Sequence, residues 1–99
     1  MSYAVELHVE AVQELQEAYV WYEERSEGLG DRFITLLNRR LGQIAENPER
    51  YPRKKGRYHE ALLDVFPYVI IYEVVKKEHL VFVSYIFHSK RNPLLKYKR

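Results

Sequence analysis

The stretch YVIIYEVVKKEHLVFVSYIF, residues 68–87, decides the fold. Two runs rich in Val, Ile, Phe and Tyr, YVIIYEVV and LVFVSYIF, flank the polar turn KKEH, the pattern of two β-strands joined by a short connection. Both runs are apolar on both faces, so the two strands belong in the interior of a sheet. Upstream, YHEALLDVF (residues 58–66) reads as a further strand that stops at Pro67. The short connections make the C-terminal half an antiparallel meander.

The N-terminal half changes period twice. YAVELHV (residues 3–9) alternates, with Val5, Leu7 and Val9 on one side, as a half-buried strand does. Val12, Leu15, Tyr19 and Tyr22 then recur at steps of three and four, and Ala11 and Ala18 widen the stripe, so residues 10 to 26 predict an amphipathic helix. Glu10, Glu14 and Glu17 lie toward its N-terminal end, where the helix dipole favours negative charge. SEGLGD supplies a tight turn. A second stripe, Leu29, Phe33, Leu36, Leu37, Leu41, Ile44 and Ala45, marks another helix, ended by Pro48, which biases Asn47 away from helical geometry. The two helices should form an antiparallel hairpin. YPRKKGR (residues 51–57) has no periodicity and reads as an exposed basic loop. The expected fold is α+β, in the order β-α-α-β-β-β, with the helical hairpin on one face of a small, mainly antiparallel four-stranded sheet.

Ninety-nine residues, 46% hydrophobic and 14% aromatic, suit one folded domain spanning 1–99. There is no cysteine, hence no disulfide, thiolate nucleophile or cysteine-rich zinc site. No apolar run is long enough to cross a bilayer and the N-terminus has no signal-peptide pattern, so the expected compartment is the cytoplasm, with no membrane contact. The net charge of +2 hides a division: residues 1–49 hold four Lys or Arg against ten Asp or Glu, residues 50–99 twelve against four. A basic half of that strength attracts a polyanion or an acidic partner segment, or is a solvated face.

His8, His59, His79 and His88 are scattered without ligand spacing, so no metal site is expected, and no cofactor. GLGDRF lacks the context of a phosphate-binding loop. The remaining chemistry is RNA cleavage without metal, which requires a base, an acid and cations around a charged phosphorane. In YIFHSKRNP (residues 85–93), His88 suits proton transfer near neutral pH, and Lys90 and Arg91 suit a phosphate. Glu60 or His59 is the candidate for the second proton-transfer group, and Tyr97 for stacking on a base. The same segment also reads as a strand end followed by a solvated turn, with Pro93 preventing further pairing. Nine tyrosines exceed what so small a core needs, which leaves some for interfaces. Trp21 points away from the first helix's stripe and is an interface candidate.

Taken in order, AVQELQEAYVWYEERSEGLGDRFITLL, IAENPERYP, ALLDVFPYVIIYEV and IFHSKRNP resemble the RelE/ParE superfamily of bacterial type II toxins over residues 3–97. The resemblance implies a growth-inhibiting toxin neutralised by a cognate antitoxin that wraps across the helical hairpin and the sheet. It implies one of two targets: DNA gyrase in the ParE-like branch, or the ribosomal A site in the RelE-like branch, where mRNA is cut. The short WYE, FPY and HxxRNP pattern is closer to the ParE-like branch. In relatives that cut mRNA, an arginine at the start of the strand preceding FPY helps to bind the reacting phosphate; His59 stands there in this chain. The expectation is a gyrase-binding toxin without chemistry of its own, using Trp21, Arg53, Lys54, Lys55, Arg57, His59, Lys90 and Tyr97 for binding. The alternatives are a ribosome-dependent endoribonuclease using His88, Arg91 and Glu60, and an inactivated relative that still binds antitoxin.

Overall fold

A computed structural model describes residues 2–91 and 95–97. The chain runs β1 (Ala4–Leu7), α1 (Val9–Arg25), α2 (Leu29–Glu46), a 3-10 turn (Pro48–Arg50), β2 (Arg53–Lys55), β3 (Tyr58–Leu62), β4 (Tyr68–Val75), a second 3-10 turn (Lys76–Glu78) and β5 (Leu80–His88). The class is α+β as expected, but the sheet has five strands rather than four, in the order β1-β5-β4-β3-β2. It is also mixed: β1 lies parallel to β5, with Ala4 opposite Leu80 and Leu7 opposite Val83, and the other pairs are antiparallel. The added strand, β2, forms from the basic stretch expected to be a loop. Arg53 pairs with His59 and Lys55 with Tyr58, so backbone hydrogen bonding organises it without any buried side chain. Val9 is also corrected: it opens α1 rather than closing the strand, and is 69% exposed.

The hairpin turn explains the two glycines of EGLGD. Gly28 takes a left-handed φ of 86° at the start of α2, which a side chain would resist. At Gly30 a Cβ would lie 2.7 Å from the Tyr19 carbonyl oxygen, so the helices cross there only because glycine has none. Glu23 closes the turn, accepting from the Gly28 N–H at 2.7 Å and the Gly30 N–H at 2.9 Å. Its charge sits where the α2 dipole stabilises it.

Phe33, Leu37 and Ile44 of α2 pack with Ala11, Ala18 and Tyr22 of α1 over Ala61, Ile70, Tyr72, Val81, Val83 and Ile86 of the sheet. Each large side chain fully buried here contributes roughly 1.5–3 kcal/mol from removal of apolar surface from water. The opposite face has its own small cluster, Val69, Ile71, Tyr85 and Phe87, with Tyr58 and Tyr97 against it. One residue makes this division possible. Ile71 pairs with Tyr85 and Tyr72 with Val83, which leaves Ser84 as a β-bulge. Before it, Val81 and Val83 face the helices; after it the parity is reversed, so Ile86 faces the helices and Tyr85 and Phe87 face away.

Candidate functional site

Two regions carry the chemistry-bearing side chains, one on each side of the sheet. The first is a cleft of about 450 Å³ between α1 and the end of β5, lined by Glu14, Glu17, Trp21, Tyr22, Tyr68, His88, Lys90 and Arg91 among others. Its floor depends on the bulge, since the reversed parity puts Ile86 and then His88 on the helix side. β1 ends at Leu7, so beyond Val83 the outer edge of β5 has no strand beside it. Glu14 takes over there, its Oε1 accepting from the Ile86 N–H at 2.9 Å. The turn after β5 is pinned by backbone: the Ser89 N–H donates to the Pro67 carbonyl at 2.7 Å and the Arg91 N–H to the His88 carbonyl at 3.0 Å.

The His88 ring is fixed as well. Its Nδ1 accepts from the Lys90 backbone N–H at 3.1 Å, and the ring stands edge-on to Tyr68 with centroids 5.0 Å apart. In the neutral ring, the proton therefore sits on Nε2. Burial, with Tyr22 and the α1 carboxylates adding to it and Arg91 opposing, pushes the Tyr68 hydroxyl up to about 12, so it remains a donor at neutral pH. Trp21 is half exposed, with the Arg25 guanidinium 3.8 Å from its ring centroid.

The second region is the face turned away from the helices. Glu60 of β3 accepts a short hydrogen bond from the Tyr97 hydroxyl and pairs with the Lys96 ammonium at 3.3 Å. Burial first, and then Glu60, raise the Tyr97 pKa well above the ordinary tyrosine value. Lys55 lies 5.3 Å from the Tyr97 ring centroid, within cation–π range. Arg57 pairs with Glu73 at 2.9 Å but is 80% exposed. Arg53, Lys54 and Lys55 form an exposed basic edge along β2.

The structure thus separates the residues considered for catalysis. His88 and Arg91 share the cleft, whereas Glu60 lies on β3, with β4 between, and joins the opposite face through Tyr97. His59 reaches neither region: it is 4% exposed, stacks on Tyr72 at 5.1 Å, and its Nδ1 donates to the Tyr51 carbonyl at 2.7 Å. Tyr72 in turn donates to the Pro48 carbonyl at 2.6 Å, so the pair hold the segment that follows α2. Expected to bind through its surface, His59 instead has its ring in the interior. Glu14, Glu17 and Tyr68 are parts of the cleft that no sequence motif marked. Glu14, Glu17 and Trp21 do stand at helical spacing i, i+3, i+7, which places them on one face of α1 and is the signal that was present. Among the described residues, no three His, Asp or Glu side chains are grouped so as to hold a metal ion. No described helix is long and apolar enough to cross a membrane.

The family model for the ParE toxin of the type II toxin-antitoxin system parDE matches residues 5–93. The chain belongs to the ParE toxin family. The fold of this ParE-family toxin is shared with solved structures of low sequence identity. The chromosomal ParDE system of P. aeruginosa aligns with a TM-score of 0.77 at 10% identity, covering 90% of this chain and 98% of that one. The isolated E. coli RelE toxin aligns at 0.68 and 19% identity, covering 98% and 95%. The E. coli RelBE toxin-antitoxin complex aligns at 0.69 and 19%, covering 91% and 100%. Among curated proteins, none matches the sequence significantly.

Proposed function

We propose that this toxin arrests growth by binding DNA gyrase, performs no chemistry of its own, and is held inactive by a cognate antitoxin. The observation that carries the reading is the separation of the proton-transfer candidates. Metal-independent RNA cleavage needs an acid, a base and a cation converging on one phosphate at hydrogen-bond distance. Here His88 and Glu60 are on opposite faces of the sheet, and both oxygens of Glu60 are engaged by Tyr97 and Lys96. At the position where the resemblance to mRNA-cutting relatives implies an arginine, this chain has His59, which is buried. A toxin that acts by occupying a protein surface needs no such convergence. The exposed basic edge of β2 and the half-exposed Trp21 are the surfaces offered for it.

An antitoxin partner is supported by the pairing of toxin with antitoxin in the P. aeruginosa ParDE and E. coli RelBE structures. The excess of positive charge in residues 50–99 suits an acidic segment of that partner. Incubating the purified chain with gyrase, ATP and supercoiled plasmid tests the proposal. Accumulation of cleaved DNA or loss of supercoiling activity is expected. Cutting of mRNA on translating ribosomes, with gyrase unaffected, would replace it with the nuclease reading. Antitoxin binding with neither effect would point to an inactive relative.

A further inference from the structure

The cleft between α1 and the end of β5 has the composition of a small-ligand site, whatever the toxin's target. Its volume of about 450 Å³ lies in the range of pockets that enclose single small molecules, about 300–1,000 Å³. Three kinds of group line it, from separate parts of the chain. Lys90 and Arg91, with His88, stand at the end of β5; Trp21 and Tyr68 supply aromatic rings; Glu14 and Glu17 come from α1. His88 spends its Nδ1 on the Lys90 N–H, which leaves Nε2 as a donor at the same end as the two cations. Glu14 spends Oε1 on the Ile86 N–H, so Glu17 is the carboxylate better placed to meet a ligand.

The complement is a molecule that carries an anion, a planar ring and hydrogen-bond donors. We propose that this cleft binds a mononucleotide, its phosphate held by Arg91, Lys90 and His88, its base against Trp21 and Tyr68, and its edge read by Glu17. Guanine is the favoured base, because its two adjacent N–H donors fit the two oxygens of one carboxylate, as a guanidinium does. An amino acid with an uncharged side chain carries its opposite charges on one carbon, and a basic one lacks the planar ring that Trp21 and Tyr68 would stack on. An acidic peptide is repelled by Glu14 and Glu17, and a fatty acid offers Glu17 no donor. The nucleotide is either free or the 5′ end of a single strand.

Trp21 is the only tryptophan, so its fluorescence reports on the site directly. Titrating the purified chain with GMP is expected to change Trp21 emission saturably. Guanosine, which lacks the phosphate, and the Arg91→Ala variant titrated with GMP should each bind roughly tenfold more weakly or worse. Glu17→Gln should lose the preference for GMP over AMP, and Lys77→Ala, on the 3-10 turn before β5, should behave as wild type. Arg91 is exposed, so its variant retains the fold, which circular dichroism checks. Calorimetry repeats the titration on Trp21→Ala, where weaker binding is expected. A 5′-phosphorylated tetranucleotide beginning with G that binds more tightly than GMP assigns the site to a strand end; equal or weaker binding assigns it to the free nucleotide. No saturable change up to about 5 mM GMP, where even a millimolar site would fill, overturns the proposal. So does equal affinity for GMP in wild type and Arg91→Ala.

Discussion

On the helix-covered side of the sheet, Ile70, Tyr72, Val81 and Val83 are wholly enclosed beneath Phe33, Leu37 and Ile44. On the other side, the partly buried hydrophobic residues against Val69, Ile71, Tyr85 and Phe87 are, among the described residues, Tyr58 and Tyr97, with the Lys96 ammonium over the Phe87 ring. The first face is closed by two helices of 17 and 18 residues, the second by single side chains. Stability therefore resides mainly on the first, and the second is the face at which a partner gains access at small cost to the fold, because few contacts must be given up there. The cleft lies at the rim of the stable face, where the bulge at Ser84 turns His88 toward α1. The floor of the cleft is therefore set by the register of β5 against β4.

The largest disruption of this division should come from inserting one alanine between Tyr85 and Ile86. With Tyr85 still opposite Ile71, the added residue puts Ile86, Phe87 and His88 on the opposite faces from those they now occupy, and chemical denaturation is expected to lose its single cooperative transition. Deleting Ser84 removes the bulge but leaves Tyr85 opposite Ile71 and Ile86 opposite Ile70, so it should remain cooperative, and a comparably disordered deletion would refute the parity argument. Next in size is Phe33→Ala. Phe33 is fully buried against Tyr22, Phe66 and Tyr68, and its truncation should cost about 3–5 kcal/mol in denaturant unfolding.

Tyr97→Phe tests the other face. It removes the hydroxyl donor to Glu60 and should cost about 1–2 kcal/mol, since hydrogen bonds to charged groups exceed neutral ones but this one is partly solvated. A cost equal to that of Phe33→Ala would erase the contrast between the faces. The same tyrosine gives a pH dependence. Tyr68, Tyr72 and Tyr97 all have raised pKa values in the folded chain, chiefly through burial, against an ordinary value of 10.0. Below pH 10 both states keep these protons and the stabilisation is complete. As pH rises past 10 the unfolded chain loses them first, so stability falls, and for Tyr68 that loss extends to about pH 12. Melting temperature measured between pH 9 and about 11 should fall less steeply in Tyr97→Phe than in wild type. The smallest effect belongs to Arg57→Ala: with Arg57 largely exposed, its pairing with Glu73 should be worth less than about 0.5 kcal/mol.

Much of the stable face was legible in the sequence. The helix stripes ending at Tyr22 and running from Phe33 to Ala45 have a period that only burial on one side explains, and the central strands were marked by runs apolar on both faces. β2 was not legible, because Arg53–Lys55 buries nothing and owes its conformation to backbone pairing with β3 alone. Nor was the bulge: Ser84 is one small polar residue in an apolar run, and nothing local distinguishes a bulge from a paired position. The misjudged grouping of His88 with Glu60 follows from that, since facing depends on register and register on the bulge. His59 was misplaced for a different reason. A histidine flanked by charged and polar residues looks exposed until the Tyr51 carbonyl and the Tyr72 ring are brought to it.

The most direct test of the proposed action is pulse labelling of DNA and protein synthesis in the first minutes after the chain alone is induced in a bacterial host. Gyrase binding without chemistry predicts that DNA synthesis falls first, with a DNA-damage response, while translation continues. An early collapse of translation with DNA synthesis spared would contradict it.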